Sequence, residues 1–281
     1  MAPPDDISDI DDGFVREYES EVKAAFQRQG SLLMNCVRTK KNVKGKSTTF
    51  QNYGKIVAKQ KTRNGDVPRS QATHTPVECT LEDWYAAVPV DELDELKTNN
   101  DERQLAAEGG AHALGREADG QIIEVLGTTS KTVGDYSSAV TKAIILEALE
   151  SLDNDDVPQK DRFGILRPHG FNELKNIAEV KSADYTGDLM PWLKGQEAFF
   201  WNGVMWIKHT GLTIADTDNV DSFIFQKMAV GHASGQDVKT RIDWDTRAQG
   251  WNIVSKMSGN ACLIDTLGVV KLKVDNDTAI T

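Results

Sequence analysis

No stretch of the 281 residues approaches the roughly 18 consecutive apolar positions that a membrane-crossing helix requires. The opening residues, MAPPDDISDIDDGF, are acidic and lack an apolar core, so they do not read as a secretory signal. Cysteine is scarce: Cys36, Cys79 and Cys262 are far apart and odd in number. That argues against a disulfide framework and for a reducing compartment. Positive charge is in deficit, with 32 Lys and Arg against 43 Asp and Glu, a formal net charge of −11. This disfavours a general nucleic-acid coat, whose affinity rests on neutralising phosphates. Extremes of composition are missing too. Hydrophobic residues at 39%, charged at 27% and aromatic at 7% describe an ordinary folded chain, neither disordered nor fibrous. Its length suffices for one large core or two smaller ones.

Chemical motifs are equally sparse. There is no G-x-G-x-x-G and no G-x-S-x-G elbow. His74, His112, His169, His209 and His232 are scattered singly, and the cysteines offer no C-x-x-C, so no zinc-ligand spacing exists. Each lone histidine reads as a surface or hydrogen-bonded residue. Gly45-Lys46-Ser47-Thr48 looks like the end of a phosphate-binding loop, but Lys40 stands where the leading glycine belongs, and the following residues read as a strand. Asp216, Asp218 and Asp221 are spaced like oxygen ligands. Asp221 and Lys227, however, occupy the positions where a calcium loop needs glycine and glutamate, so the segment reads as a polar turn. Trp192, Trp201 and Trp206 cluster with Phe199 and Phe200. The cluster reads first as core or interface packing, and second as a ligand cage or base-stacking platform. These patterns point to no catalytic residue, cofactor or metal.

What is present is a segregation of charge. Residues 38–69 hold ten bases against one acid, Asp66, a net of +9. The first 37 residues hold eight acids and three bases, and residues 78–101 hold eight acids against Lys97 alone. A basic segment between acidic ones is a nucleic-acid binder, a self-complementary surface that meets another copy, or a solvated face that does neither.

Residues 14–33 carry apolar positions at helical spacing, ended by Gly30. Residues 48–62 read as a long exposed strand, Asn64-Gly65-Asp66 as a turn, and 72–81 as the returning strand. Such a hairpin has few large apolar residues and no face of its own to bury, so it is expected to pack on another copy. Residues 99–126 read as one helix about 40 Å long. Gly109, Gly110, Gly115 and Gly120 lie inside it, which predicts close approach of another backbone. A second helix is expected over 137–152, a short buried strand over 163–168 and a short helix over 169–178. Strands are expected over 204–207, 223–230, 238–244, 251–256, 261–264 and 269–274. The fold class is mixed α+β, helices early and strands late.

This succession resembles the major capsid protein of tailed bacteriophages, the Hong Kong 97-like fold shared with herpesvirus floors and encapsulins. Lys227-Met228-Ala229-Val230 and Gly259 to Asp265 are similar to the strand pairs that close such chains. The resemblance implies an N-terminal arm at 1–45, an extended E-loop at 46–79, a P-domain at 80–128 and 236–257 with its spine helix at 99–127, and an A-domain at 129–235 and 258–281. It also implies a structural, non-enzymatic protein that self-assembles through hexamers and pentamers into an icosahedral virion shell. That shell would enclose double-stranded DNA without reading its sequence. It would be built in the bacterial cytoplasm with a separate scaffolding protein and a portal, without membrane or cofactor. Lys55, Lys59, Lys61, Arg63 and Arg69 would contact a neighbouring subunit. The alternatives are an encapsulin-type nanocompartment shell and, further off, a small-ligand enzyme using the aromatic cluster.

Overall fold

The computed structural model describes residues 30–92, 102–177, 180, 198–212, 214 and 219–277. Most of the helix expected over 14–33, the start of the one expected at 99, and the side chains of Trp192, Asp216 and Asp218 lie outside them.

A 3-10 turn at Met34–Cys36 leads into β1 (Arg38–Lys40), β2 (Ser47–Tyr53), β3 (His74–Thr80) and β4 (Glu82–Asp91). Helix α1 (Glu102–Gly127), β5 (Thr132–Val133), α2 (Lys142–Asn154), β6 (Arg162–Leu166) and α3 (Pro168–Asn176) follow. Strands β7 (Ala198–Trp201), β8 (Val204–Lys208), β9 (Asn219–Gln226), β10 (Val230–Asp245), β11 (Gly250–Leu263) and β12 (Val269–Asp275) complete the chain. They form a four-stranded sheet, β1-β10-β11-β4, a six-stranded sheet, β5-β12-β9-β6-β8-β7, and the two-stranded hairpin β2-β3.

The long helix lies against the four-stranded sheet. Leu114 and Ala118, four residues apart and so on one face, bury against Met257 of β11, with Trp84 and Ala86 of β4 beside them. One of its glycines, Gly115, meets another backbone as their frequency predicts, and Gly110 makes room for a side chain. A Cβ on Gly110 would stand 2.7 Å from the Ser255 hydroxyl, and one on Gly115 would stand 2.7–2.8 Å from the backbone of Gly30. Gly109 and Gly120 have open space and no such role.

The main core fills the space around the six-stranded sheet. Ile144, Ile145, Ala148, Leu149 and Leu152 form the buried stripe of α2, at the spacing of an amphipathic helix. Thr141 caps that helix by accepting from the Ile144 amide at 3.4 Å. This explains why it starts five residues later than the periodicity alone predicts. Pro168 occupies the first turn of α3, where its missing N–H costs no bond.

Several expectations are corrected. Gly30 takes φ +65° and the chain is not helical from there to Leu33. The separate strands expected within 230–264 merge into β10 and β11, which pair antiparallel with irregular register only between Ser234 and Lys239. The acidic stretch after the hairpin holds a ten-residue strand, β4, paired to β11.

Candidate functional site

The basic hairpin has two parts with different physics. Its root pairs Ser47–Tyr53 with His74–Thr80 in regular antiparallel register. Phe50 and Cys79 point from this ladder into a small core completed by Ala233, Cys262 and Ile264. Gly231 makes room for the ring: a Cβ there would stand 3.0 Å from two Phe50 ring carbons and 2.9 Å from Ile264. The expectation of a hairpin with no core of its own is therefore wrong at its base, which is anchored on the same chain.

Beyond the root the expectation holds. Between Phe50 and Cys79 no residue is buried. The strand expected to reach residue 62 stops at Tyr53. Lys55, Lys59, Lys61 and Arg63 crowd the outgoing limb and face Arg69 on the returning one; like charges across a ladder oppose pairing, and Pro68 has no N–H to donate. Side chains hold the limbs together instead. Lys59 Nζ donates to the Arg69 carbonyl at 3.0 Å, and Ser70 Oγ to the Val57 carbonyl at 2.8 Å. Asn64 takes φ +65° at the turn, and the Gly65 amide donates to the Thr62 carbonyl at 3.1 Å. Ile56, Val57 and Val67 are 56%, 70% and 71% exposed, so this part offers apolar as well as charged contact area.

Of the five bases singled out, Lys59, Lys61, Arg63 and Arg69 are exposed along this distal part. Lys55 instead reaches back to its own chain and pairs with Asp156 at 2.6 Å, both side chains being exposed. Pairing raises the lysine pKa and lowers that of the aspartate, but an exposed pair of this kind is screened and weak.

A buried polar joint ties the helix to the segment at 31–33 and to the residue that follows β8, and sequence reasoning passed over it. Asp119 of α1 and His209, just after β8, are fully buried, with Nε2 and Oδ2 3.1 Å apart. The same carboxylate accepts from the Ser31 hydroxyl and from the amides of Leu32 and Leu33, each amide at 3.1 Å. The Gly211 amide donates to His209 Nδ1, which leaves the Nε2 proton for Asp119. Burial opposes the charge of Asp119, and the four hydrogen bonds outweigh it, holding its pKa below the ordinary value. The available signal was position: Asp119 lies midway between Gly115 and Ile123 on a helical face that is otherwise buried.

The aromatic cluster divides among the described residues: Phe200 is 66% exposed and Trp201 half-buried, while the rest is core. Trp206 is fully buried and Phe199 is 5% exposed. The Trp206 ring covers Gly164 so closely that a Cβ there would stand 2.5 Å from it. The indole N–H donates to the Trp201 carbonyl at 3.2 Å. Asp221, expected in a polar turn, instead lies in β9, where it accepts from the Tyr136 hydroxyl at 2.6 Å and pairs with Lys271 at 3.2 Å. Gly45-Lys46-Ser47-Thr48 runs into β2 rather than a helix. Among the described residues, no three His, Cys, Asp or Glu side chains are grouped to hold a metal, and no helix is long and apolar enough to cross a membrane.

The fold is that of phage shell subunits. The chain is similar to the capsid structure of cyanophage P-SCSP1u, with 19% identity, 95% of each chain covered and a TM-score of 0.75. It is similar to the head structure of Helicobacter pylori bacteriophage KHP40, with 11% identity, 98% of this chain and 99% of the other covered, and a TM-score of 0.78. It also resembles the cyanophage Pam1 capsid asymmetric unit, at 11% identity, 98% and 100% coverage and a TM-score of 0.72. No curated protein matches it in sequence. The family model for phage capsid protein matches residues 10–276, and the chain belongs to that family. Its role is structural, as a major capsid protein forming the phage shell, and its place is the virion.

Proposed function

We propose that this major capsid protein builds its shell in the Hong Kong 97-like manner. Residues 46–79 act as the E-loop, lying over a neighbouring subunit, and 99–127 as the spine helix of a P-domain spanning 80–128 and 236–257. Residues 129–235 and 258–281 act as the A-domain, at the centre of hexamers and pentamers, and 1–45 as the arm. The register irregularity between Ser234 and Lys239 supports a boundary near residue 236. The activity is self-assembly rather than catalysis. The shell encloses double-stranded DNA, assembles in the host cytoplasm and uses a separate scaffolding protein and a portal.

One observation carries the reading. About twenty hairpin residues project beyond an anchored root with nothing buried, yet with three large aliphatic side chains exposed. Such a segment gains its packing from another molecule. Lys59, Lys61, Arg63 and Arg69 face acids of the neighbour, and Lys55 exchanges Asp156 for one of them. Each exposed pair contributes about 0–1 kcal/mol, and repetition around a closed shell sums them. An acidic subunit also avoids trapping the packaged DNA.

The test is negative-stain electron microscopy with light-scattering mass on the wild type and on Lys59→Glu with Lys61→Glu. Wild-type rings or closed shells are expected, and a folded variant impaired in assembly. Normal shells from the variant would sink the charge pairing. Monomers only, even with the scaffolding protein added, would sink the assembly reading.

A further inference from the structure

Two of the three cysteines meet at the hairpin root. Cys79 lies near the end of β3 and Cys262 near the end of β11, 1% and 8% exposed, in one cluster with Phe50, Ala233 and Ile264. The Cys79 thiol donates to the Asn260 carbonyl at 3.3 Å, two residues from Cys262 along the same strand. The neighbouring Cys262 thiol lowers the pKa of Cys79, while Cys79 and burial raise that of Cys262. Cys36 belongs to the other core, where burial pushes its thiol up to about 11.

We propose that Cys79 and Cys262 are a covalent modification site, an intrachain disulfide that a small two-electron oxidant such as hydrogen peroxide closes, fixing the hairpin root to β11. The Cys79 thiolate attacks one peroxide oxygen and the O–O bond breaks, giving a sulfenic acid and hydroxide, which the proton shed by Cys79 turns into water. The Cys262 sulfur then attacks the sulfenic sulfur. The S–S bond forms, the S–O bond breaks, and the hydroxyl leaves with the Cys262 proton as a second water. Two thiols and one peroxide thus become one disulfide and two waters, the sulfurs losing the two electrons that the peroxide gains. A reducing cytoplasm keeps the site open during assembly, and a particle outside the cell has no such protection. The chemistry is independent of the shell reading, and only its timing rests on it.

The experiment treats the purified full chain with hydrogen peroxide, unfolds it in urea with iodoacetamide, and maps the peptides without reductant. Free thiols are expected to fall from three to one, with a peptide joining Cys79 to Cys262 inside one monomer. Cys36→Ala is expected to leave that peptide intact, and Cys79→Ser or Cys262→Ser to abolish it. The wild-type map alone is decisive should either serine variant fail to fold. Three surviving thiols would overturn the proposal, as would a bond to Cys36, a bond between two subunits, or Cys79 sulfinic acid without a linked peptide. Assembly state does not enter the readout, so failure here is distinct from failure of the capsid reading.

Discussion

Asp119→Ala is the substitution with the largest consequence for a single atom group. Among the described residues it removes the acceptor from four donors: the Ser31 hydroxyl, the Leu32 and Leu33 amides and the His209 ring. The bonds from Leu33 and His209 are buried, and those from Ser31 and Leu32 are partly so. A buried donor stripped of its acceptor costs about 1–3 kcal/mol. The loss is expected to total about 3–5 kcal/mol, a large share of the roughly 5–15 kcal/mol that holds a domain folded. Asp119→Asn keeps one oxygen but turns an NH₂ group toward the other donors, and is expected to fall between alanine and wild type. The pH dependence separates this network from simple cavity formation. Because the folded pKa of Asp119 lies below 3.8, the unfolded chain takes up the proton first. The contribution is complete above pH about 3.8 and disappears as pH falls through the lower, folded value. The assay is urea unfolding of the unassembled subunit across acid and neutral pH, with the m-value checked for constancy. The free-energy gap between wild type and variant should be level near neutrality and shrink in acid. A neutral-pH gap under about 1 kcal/mol, or one that persists unchanged in acid, would refute the reasoning.

Three further outcomes are expected. Phe50→Ala removes the largest side chain of a five-residue cluster, so its cost of about 3–5 kcal/mol falls on the hairpin. Hydrogen exchange should rise over 47–80 while the thermal midpoint of the main core moves little, and equal loosening everywhere would argue against a separate anchor. Gly164→Ala drives a methyl into the Trp206 ring and should cost about 1–3 kcal/mol, read as a lowered midpoint with altered tryptophan fluorescence; an unchanged midpoint would show that the ring is not packed as described. His232 is buried, and burial lowers its pKa to about 4 against the weaker pull of Asp237 and Asp119. Its neutral form is therefore free of penalty above pH 6.5, and stability declines by about 3 kcal/mol as pH falls from 6.5 to 4. His232→Gln should flatten that decline, and an unaltered slope would exclude this residue as its source.

Local rules carried the sequence reading where one element sufficed to define itself. Helix α1 was legible from apolar positions such as Leu105, Ala113, Ile122 and Leu126 despite its glycines, and α2 from the period of Ile144, Ile145, Leu149 and Leu152. The break at the hairpin turn was legible in Asn64-Gly65. Strand β4 was hidden because Glu82, Asp83 and Asp91 read as a charge run, and its identity comes from backbone pairing to β11 over 82–91. Strands β10 and β11 were read as fragments because Ser234-Gly235-Gln236-Asp237 and Ser258-Gly259-Asn260 break the apolar alternation, while the ladder beneath needs no apolar side chains. The anchoring of Phe50 and the Asp119–His209 joint depend on residues 90 or more positions apart. No window along the chain contains them.

The strand pair β10–β11 also sets how the subunit transmits force. One end of this pair, at Ala233, Cys262 and the following Ile264, is the floor under the hairpin root. The other ends at Asp245 and Gly250, next to the edge-to-face rings of Trp244 and Trp251, 5.1 Å apart. At about 3.3 Å per residue the longer strand is a beam of roughly 50 Å, backed by α1 along part of its length. If the hairpin lies over a neighbour as proposed, a pull on it would load this strand pair through the Phe50 cluster, and the register irregularity between Ser234 and Lys239 is where the pair would give first.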